Sequence, residues 1–409
     1  MSIRILFSTL RRHSLMPAMV LLQVALACAI LCNVLFLAWQ QLQPMLAPSG
    51  VDDKALILID QLNLPDRSWT AAEVSAGSQA LREVPGVRAV SAALGLPMVP
   101  SYLCVMALQG PTGVKAGASC YEGEGLVNTL GITLVAGRDF LPGEYRDASA
   151  DSKGAVRPII ITEALAHKFF GDTDVVGKLL GDPGDKTAVR YQVVGVARHL
   201  MRNQLFMANH GRADDSVLLA HRVGSTAALS YAVRVDPAMR DVALAGVRKA
   251  IKHQFGALLQ VGFPVQVSFY GTRRDAAFKT RRAALWLLVG VALTVLVVTV
   301  IGIMGLTGFW VQRRTRQIGI RRALGARRAD ILREFMAENA LIVSIGVSIG
   351  MLFAYVGNAL LMKQYELPRL PWIWLPGGAA LMLVLGQLAV LGPARRAAAV
   401  PPVVATRSV

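Results

Sequence analysis

An uncharged run at 283–311 constrains this chain more than any other feature of its sequence. It reads AALWLLVGVALTVLVVTVIGIMGLTGFWV and contains no Asp, Glu, Lys or Arg. A helix needs about 20 mostly apolar residues to cross the hydrocarbon core of a bilayer, and this run is longer than that. Hydrophobic residues make up 54% of the chain and charged residues 17%, with a mean hydropathy of +0.47. The run and the composition both predict a membrane protein.

Three further stretches are long and apolar enough to span a bilayer, at 16–39, 335–362 and 372–392. The last is the weakest because Pro376, Gly377 and Gly378 fall inside it. The first could instead be a cleaved signal peptide. Its apolar core exceeds the roughly 7–15 residues of a signal peptide, and no A-x-A cleavage site follows it, so we predict a retained anchor. The sequence therefore predicts four spans.

Basic residues flank these spans unevenly and predict their orientation. The formal net charge is +17, and arginines concentrate before the first span, between the second and third, and after the fourth. They are Arg4, Arg11 and Arg12; the eight arginines of 313–333; and Arg395, Arg396 and Arg407. With four spans all three segments lie on one side, which the positive-inside rule identifies as cytoplasmic. A basic cluster at 273–282 lies on the other side, but long translocated domains largely escape that rule.

The residues between the first two spans, 40–282, are polar enough to fold in water as an outside domain. Strand-like runs at 55–59, 158–162, 191–196 and 232–235 alternate with helical stretches at 71–83, 162–170 and 241–254. This alternation predicts a mixed α+β fold.

Four cysteines divide between the first span and the outside domain. Cys104 and Cys120 lie outside, where an oxidising compartment would permit a disulfide that their spacing alone does not establish. Cys28 and Cys32 lie one helical turn apart in the first span, and we predict that they are small apolar packing residues.

No catalytic, metal-binding or cofactor-binding pattern emerges from the sequence. The stretch GDTDVVGK at 171–178 resembles a phosphate-binding loop, but five residues rather than four separate its glycines, and Leu179 follows the lysine. We interpret it as a surface turn after a helix. The adjacent carboxylates Asp52–Asp53 and Asp214–Asp215 are interpreted as solvated loop residues. The six histidines are scattered and lack zinc-site spacing.

The window 313–335, RRTRQIGIRRALGARRADILREF, places eight arginines directly after the uncharged run. Drawn as a helix, it has an apolar face surrounded by the arginines and made of Ile318, Ile320, Leu324, Ile331, Leu332 and Phe335. We expect a short amphipathic helix at the cytoplasmic surface, interrupted at Gly319, with a turn at Gly325 and a new helix near Asp330. It either lies in the lipid headgroups or docks into another protein. Nucleic acid is disfavoured because no aromatic residues alternate with the arginines.

Two polar residues, Glu338 and Asn339, stand near the predicted start of the third span. An intramembrane carboxylate is a functional candidate by default, yet the dipole at a helix N-terminus also favours it, and we prefer the second explanation. In the second span, Gly302, Gly305 and Gly308 recur every three residues, with Gly290 before them. They form either a small-residue packing face or the ordinary glycine enrichment of membrane helices.

The stretch RRTRQIGIRRALGARR at 313–328 resembles the signature of the FtsX-like permease domain of MacB-type ABC transporters. Gln317 stands where the family usually has Glu, which removes one charge. IITEALAHKFFGDTDVVGKLLG at 160–181 and YQVVGVARHL at 191–200 are similar to the family's periplasmic core domain. GPARRAAAVPPVVATR at 392–407 resembles its cytoplasmic tail, with Val404 where an acidic residue often stands.

The resemblance implies a membrane α-helical protein of four transmembrane helices, with a large α+β periplasmic domain inserted between the first and second spans, in the bacterial inner membrane. The expected segments are an N-terminal amphipathic helix (1–15), a first stalk helix (16–39), the periplasmic core domain (40–282), a second stalk helix (283–311), a cytoplasmic coupling segment (312–334), a third helix (335–362), a short periplasmic loop (363–371), a fourth helix (372–392) and a cytoplasmic tail (393–409).

The resemblance also implies a permease subunit that passes conformational change from ATP hydrolysis to the periplasm, called mechanotransmission. About 15 residues precede the first span, so we expect the ATPase, with its ATP and Mg, on a partner chain. The residues expected to contact that ATPase are Ile318, Gly319, Ile320, Arg321, Arg322, Ala323, Leu324 and Gly325. Further expected partners are a second permease protomer, identical or related, and a periplasmic adaptor with an outer-membrane channel.

Three functions are compatible with this resemblance. The first is export of peptides, antibiotics or lipid-like compounds. The second is a regulatory scaffold for cell-wall hydrolases, as in FtsX itself, and the third is release of lipoproteins. The large outside domain favours the exporter over the scaffold, because FtsX-like division proteins usually have a much smaller one.

Overall fold

The computed structural model describes residues 15–99, 103–147, 155–181, 189–203, 205, 211–259, 262, 264–365 and 370–399. The predicted N-terminal amphipathic helix lies almost wholly outside these residues, as do residues 366–369 of the predicted loop and residues 400–409 of the predicted tail. The chain divides into two compact units. The helical unit comprises Met1–Leu42 and Arg281–Val409, and the sheet unit comprises Gln43–Thr280.

Helices and strands are numbered here in chain order. The helices are α1 (Leu15–Leu46), α2 (Ala71–Arg82), α3 (Leu126–Leu130), α4 (Glu163–Phe170), α5 (Arg240–Phe255), α6 (Tyr270–Ala277), α7 (Lys279–Ala323), α8 (Arg328–Tyr365) and α9 (Leu375–Ala399). The strands are β1 (Leu56–Asn63), β2 (Val87–Ala93), β3 (Val105–Gln109), β4 (Lys115–Glu122), β5 (Leu134–Gly137), β6 (Arg146–Asp147), β7 (Val156–Thr162), β8 (Leu179–Leu180), β9 (Arg190–Ala197), β10 (Ser216–Leu219), β11 (His221–Arg222), β12 (Ala228–Val235) and β13 (Gln266–Phe269).

Four helices of this set are long and apolar enough to cross a membrane: α1, α7, α8 and α9. Each extends beyond the span predicted from sequence, α7 most of all, since it continues as one helix to Ala323. Pro376 lies in the first turn of α9, where the missing N–H is not needed for an intrahelical bond. The Pro–Gly–Gly sequence that weakened the prediction therefore lies at the start of the helix.

One face of α1 forms the centre of the helical unit's apolar core. Val24, Cys28 and Cys32 on this face are each fully buried. They recur every four residues and so lie one above the other. The thiols donate to backbone carbonyls, Cys28 to Val347 and Cys32 to Leu375, each at 3.8 Å. The prediction that both cysteines are packing residues is confirmed.

The sheet unit contains a four-stranded antiparallel sheet in the order β13-β1-β12-β2. Successive residues of β1 point to opposite faces of this sheet. Ile57 and Ile59 pack with Trp69 and with Phe255 of α5, so helices α2 and α5 cover that face. Side chains on the other face of β1, such as Leu58, join a separate cluster.

A second, mixed sheet has the order β3-β4-β10-β7-β9-β5, with β8 paired to β9. Ile160 and Leu218 point into the cluster that contains Leu58, whereas Ile161 packs with Phe169 of α4 on the opposite face. The two sheets therefore share one apolar core between them, and helices cover their outer faces. The four predicted strands are confirmed as β1, β7, β9 and β12, and the three predicted helices as α2, α4 and α5.

Candidate functional site

The arginine-rich window forms a helical hairpin rather than a short surface helix. Its first half continues α7 to Ala323, and its second half begins α8 at Arg328. The expectation of a separate amphipathic helix is therefore wrong, and Gly319 lies within α7 without breaking it. The long apolar stretch before the window lets the helix propagate into it, because extension costs much less than nucleation. We call residues 313–335 the hairpin and residues 320–327 its tip.

The tip turns on a glycine, as the sequence predicts. Gly325 has a φ of +98°, which only glycine adopts readily. Its N–H donates to the Arg322 carbonyl at 3.1 Å, and the Ala326 N–H donates to the Arg321 carbonyl at 3.1 Å. This pair of bonds is the Schellman ending of a helix. On the other side of the turn, the Asp330 carboxylate accepts from the Arg327 N–H at 3.0 Å and caps α8.

The structure separates the predicted ATPase-contact residues into two groups. Ile318 and Gly319 are buried within the helical unit. Arg322 is half-buried, and the remaining five are exposed: Ile320, Arg321, Ala323, Leu324 and Gly325. Leu324 exposes 83% of its surface and Ile320 47%, although both are apolar. A surface available to another protein is therefore restricted to the tip and excludes Ile318.

Several hairpin arginines already have partners within the helical unit. Arg321 donates to both carboxylate oxygens of Glu334 at 2.7 Å, across the turn. Arg322 donates to the carbonyl of Ala398 in α9 at 3.4 Å. These contacts stabilise the hairpin and leave the apolar side chains of Ile320 and Leu324 at its end.

Glu338 and Asn339 serve a different role from the one preferred on sequence grounds. Because α8 begins at Arg328, Glu338 lies almost three turns inside the helix, beyond the reach of capping and of the terminal dipole. It instead accepts from Arg314 of α7 at 3.0 and 3.2 Å. Asn339 donates to the carbonyl of Gly386 in α9 at 3.0 Å. The dipole explanation is therefore wrong, and both residues connect helices.

The predicted glycine face of α7 is mostly open. Nothing among the described atoms would contact a Cβ at Gly290, Gly305 or Gly308 within 4 Å, whereas Gly302 lies against the Gln23 side chain of α1. Gln23 in turn donates to the Val298 carbonyl at 3.1 Å. Of these four glycines, only Gly302 supports close packing against another described helix.

Close approach between α1 and α8 instead involves glycines that the sequence analysis did not single out. A Cβ at Gly350 would lie 2.6 Å from the Ala25 carbonyl oxygen and 2.7 Å from the Cys28 Cβ, and Gly346 is nearly as tight against Val24. Their spacing is the small-xxx-small pattern of packed membrane helices. That spacing was the signal available in the sequence.

Two expectations for the sheet unit also have structural outcomes. Cys104 and Cys120 form a disulfide that joins β3 to β4, with their Cα atoms 5.2 Å apart. Gly171 ends α4 in a left-handed conformation, so the phosphate-loop look-alike is a turn after a helix.

The interpretation of Asp214 and Asp215 as solvated is wrong. Asp215 is 1% exposed and accepts from Lys168 at 2.6 and 2.8 Å. Asp214 pairs with His199 at 2.9 Å. Burial raises the pKa of Asp214 above its ordinary value, although His199 opposes that rise. The buried Asp215 and the solvent-accessible Lys168 form a structural ion pair between α4 and the start of β10.

One match to a known protein family lies within the helical unit. Residues 289–402 match the family described as FtsX-like permease C-terminal. The macrolide export ATP-binding/permease protein MacB of Wolinella succinogenes is 26% identical over 265 residues, which are 63% of this chain and 39% of MacB. The pyoverdine export ATP-binding/permease protein PvdT of Pseudomonas syringae pv. syringae is 28% identical over 336 residues, 79% of this chain and 49% of PvdT. The chain thus spans less than half the length of either relative.

A third relative is closer in length. The uncharacterised ABC transporter permease YknZ of Bacillus subtilis is 25% identical over 292 residues, 69% of this chain and 68% of YknZ. Among solved structures, the extracellular domain of a noncanonic ABC-type transporter YknZ from Gram-positive bacteria aligns over 52% of this chain and 99% of its own, with a TM-score of 0.33 and 15% identity. Residues 289–402 thus match the FtsX-like permease C-terminal family, and the chain is similar to the MacB, PvdT and YknZ ABC transporter permeases and has four helices able to span a membrane.

Proposed function

We propose that this chain is the permease subunit of an ATP-driven transporter and that the tip of its hairpin docks onto an ABC ATPase. The observation that supports this proposal is the exposure of Leu324 and Ile320 at the end of a hairpin that internal ion pairs hold together. Exposed apolar residues rimmed by polar ones are typical of protein interaction sites. A leucine that is 83% exposed is costly in water and favourable in an apolar pocket of a partner.

The ATPase would be a dimer on a partner chain and would hold the ATP and Mg. Two ATPase subunits need two permease protomers, so we propose a dimer with an identical or related chain. Trp286, Leu287 and Ile301 of α7 are each more than 60% exposed within one chain. These apolar side chains support contacts of α7 with the bilayer and with a second protomer.

We propose further that the hairpin faces the cytoplasm and the sheet unit faces the periplasm, with the chain in the bacterial inner membrane. ATP-driven closure of the ATPase dimer would then move the hairpin, and the long helices α1 and α7 would pass the motion outward. The cargo would be peptides, antibiotics or lipid-like compounds, delivered through a periplasmic adaptor and an outer-membrane channel. The concentration of arginines in the hairpin supports this orientation.

The test is co-purification of the full chain, in detergent, from its native membranes. We expect the wild-type chain to recover an ATPase in equal amount, with measurable ATP hydrolysis. The double substitution Ile320→Asp and Leu324→Asp places two charges in the proposed contact and should abolish recovery. Size-exclusion profiles should stay unchanged, because both side chains are exposed.

A matched control introduces the same charge at an exposed apolar residue elsewhere. Val242 of α5 in the sheet unit is 61% exposed, and Val242→Asp should leave ATPase recovery at the wild-type level. The proposal fails if the Ile320→Asp, Leu324→Asp chain recovers the ATPase in full with normal turnover.

A further inference from the structure

An ion pair is buried between α7 and α8, where Glu338 lies just beyond the end of the hairpin. The Arg314 guanidinium donates one N–H group to both carboxylate oxygens of Glu338, at 3.0 and 3.2 Å. The Glu338 side chain is 6% exposed and the Arg314 side chain 15%. A carboxylate in such a position is expensive unless it is paired, and in membrane helices it marks a functional residue by default.

Aromatic rings from both helices hold this pair in place. The Arg314 guanidinium lies over the ring of Trp310, 4.4 Å from its centroid, and Trp310 meets Phe335 of α8 edge to face. Arg314 and Trp310 belong to α7, whereas Glu338 and Phe335 belong to α8. The next residue, Asn339, donates to the Gly386 carbonyl of α9. One short segment of α8 therefore has polar contacts to both neighbouring helices.

Stability does not account for a pair of this kind. Moving two charges out of water costs about as much as their attraction returns, and replacing a buried pair by apolar residues of similar size is often neutral or stabilising. A buried pair does, however, fix one relative arrangement of its helices, as buried polar residues do in coiled coils. This pair is therefore suited to hold α7 and α8 in one defined arrangement.

The position of the pair shows which geometry it fixes. Arg314 precedes Ile320 by six residues, about 9 Å along a helix, so a change of helix crossing at the pair displaces the tip. A second ion pair, Arg321–Glu334, lies within the hairpin and nearer the turn. The Arg321 side chain is 59% exposed. Exposed pairs contribute little energy and little directional constraint.

We propose that Arg314 and Glu338 are positioning residues that fix the crossing of α7 and α8, and with it the orientation in which the tip is presented. This inference deepens the proposed function and rests on it for its biological meaning. The geometric claim itself concerns the permease alone and is tested without the ATPase.

The experiment measures a distance between spin labels on the full chain in lipid nanodiscs. Gln317 of α7 and Ser344 of α8 are both exposed, and each would be replaced by Cys and labelled. Cys28 and Cys32 are buried and Cys104 is bonded to Cys120, so the two introduced thiols are the reactive ones. The variants are Arg314→Met, Glu338→Gln and the double Arg314→Met, Glu338→Met, with Glu334→Gln as the matched control in the exposed pair.

We expect one narrow distance distribution for the wild type and for Glu334→Gln. All three variants of the buried pair should broaden it at least about twofold, because no directional contact then fixes the crossing. The double variant should retain the wild-type melting temperature, since it leaves no unpaired buried charge, and it keeps the test valid if a single variant fails to fold. If the pair had a purely structural role, its loss would change the melting temperature and leave the width of the distance distribution unaltered.

A wild-type distribution in the double variant would overturn the inference, and so would equal broadening by Glu334→Gln. Neither result depends on ATPase recovery. Conversely, full ATPase recovery by the Ile320→Asp, Leu324→Asp chain would overturn the proposed function and leave these distances unaffected.

Discussion

The two units of this protein each bury an arginine–carboxylate pair, and they support it with different groups. In the sheet unit, Arg273 reaches Asp60 at 3.4 Å and also donates to the Gln266 carbonyl at 2.7 Å and to the Ser268 hydroxyl at 2.9 Å. In the helical unit, Arg314 contacts Glu338 and an aromatic ring, and within the described residues it donates to no backbone carbonyl.

The difference follows from the secondary structure. Strand β13 lies at the edge of its sheet and presents the Gln266 carbonyl to Arg273, and β1 has an irregularity between Ile59 and Leu62 beside Asp60. Helices α7 and α8 use their carbonyls for their own i to i−4 bonds. A buried charge in a sheet can therefore be held by backbone, whereas one between helices depends on side chains that substitution can remove completely.

The largest effect is expected from breaking the pair in the sheet unit. Asp60→Leu leaves Arg273 buried without its counter-charge and removes the acceptor of the Gln61 N–H, which lies 2.7 Å away. We expect the free energy of unfolding to fall by about 3–5 kcal/mol. Hydrogen exchange of the β1 and β12 amides would measure it in the purified chain. Asp241→Asn is the control, because the Asp241 side chain is 90% exposed, and a loss equal to that control would contradict the prediction.

A smaller effect is expected where the helical unit depends on close backbone approach. Gly350→Ala places a methyl group 2.6 Å from the Ala25 carbonyl oxygen, so α1 and α8 must separate slightly. We expect a loss of about 1–3 kcal/mol in unfolding free energy, measured by thermal unfolding in detergent. Gly357→Ala on the same helix meets nothing within 4 Å among the described atoms and should cost much less. Equal losses from the two substitutions would show that α1 does not pack against this face.

The smallest effect is expected at an exposed carboxylate of the sheet unit. Glu73 accepts from Arg67 and caps α2 through the Thr70 N–H, and these contacts lower the pKa of Glu73 to about 2 from its ordinary 4.5. Since the folded pKa is lower than the unfolded one, this stabilisation is present above pH 4.5 and is lost as the pH falls toward 2.

The urea midpoint of Glu73→Gln should therefore lie slightly below that of the wild type at neutral pH. The difference should shrink steadily in acid, because the wild-type carboxylate becomes neutral as well. A difference that does not change between pH 7 and pH 3 would mean that the capping contacts act independently of the charge.

The sequence alone determined the class of this protein because its strongest signals are local. An uncharged run such as 283–311 is stable in the hydrocarbon core of a membrane, and this identifies it as a span. The arginines of 313–333 are favoured at the polar surface of the membrane, so they mark the end of that span. The turn at Gly325 and the packing role of Cys28 and Cys32 were predictable for a similar reason, since each depends on neighbours within one or two helical turns. Strands β1, β7, β9 and β12 were visible because their apolar runs are continuous or alternate.

Only the tertiary structure decided which residues meet across long separations. Strand β4, KAGASCYE, lacks an apolar pattern and is buried because β3 and β10 flank it. Asp215 looked solvated until α4 brought Lys168 to it, and Glu338 looked like a helix-terminal residue until α7 supplied Arg314. The partner of a buried charge is chosen by packing between distant segments, and no local pattern in the chain encodes that choice.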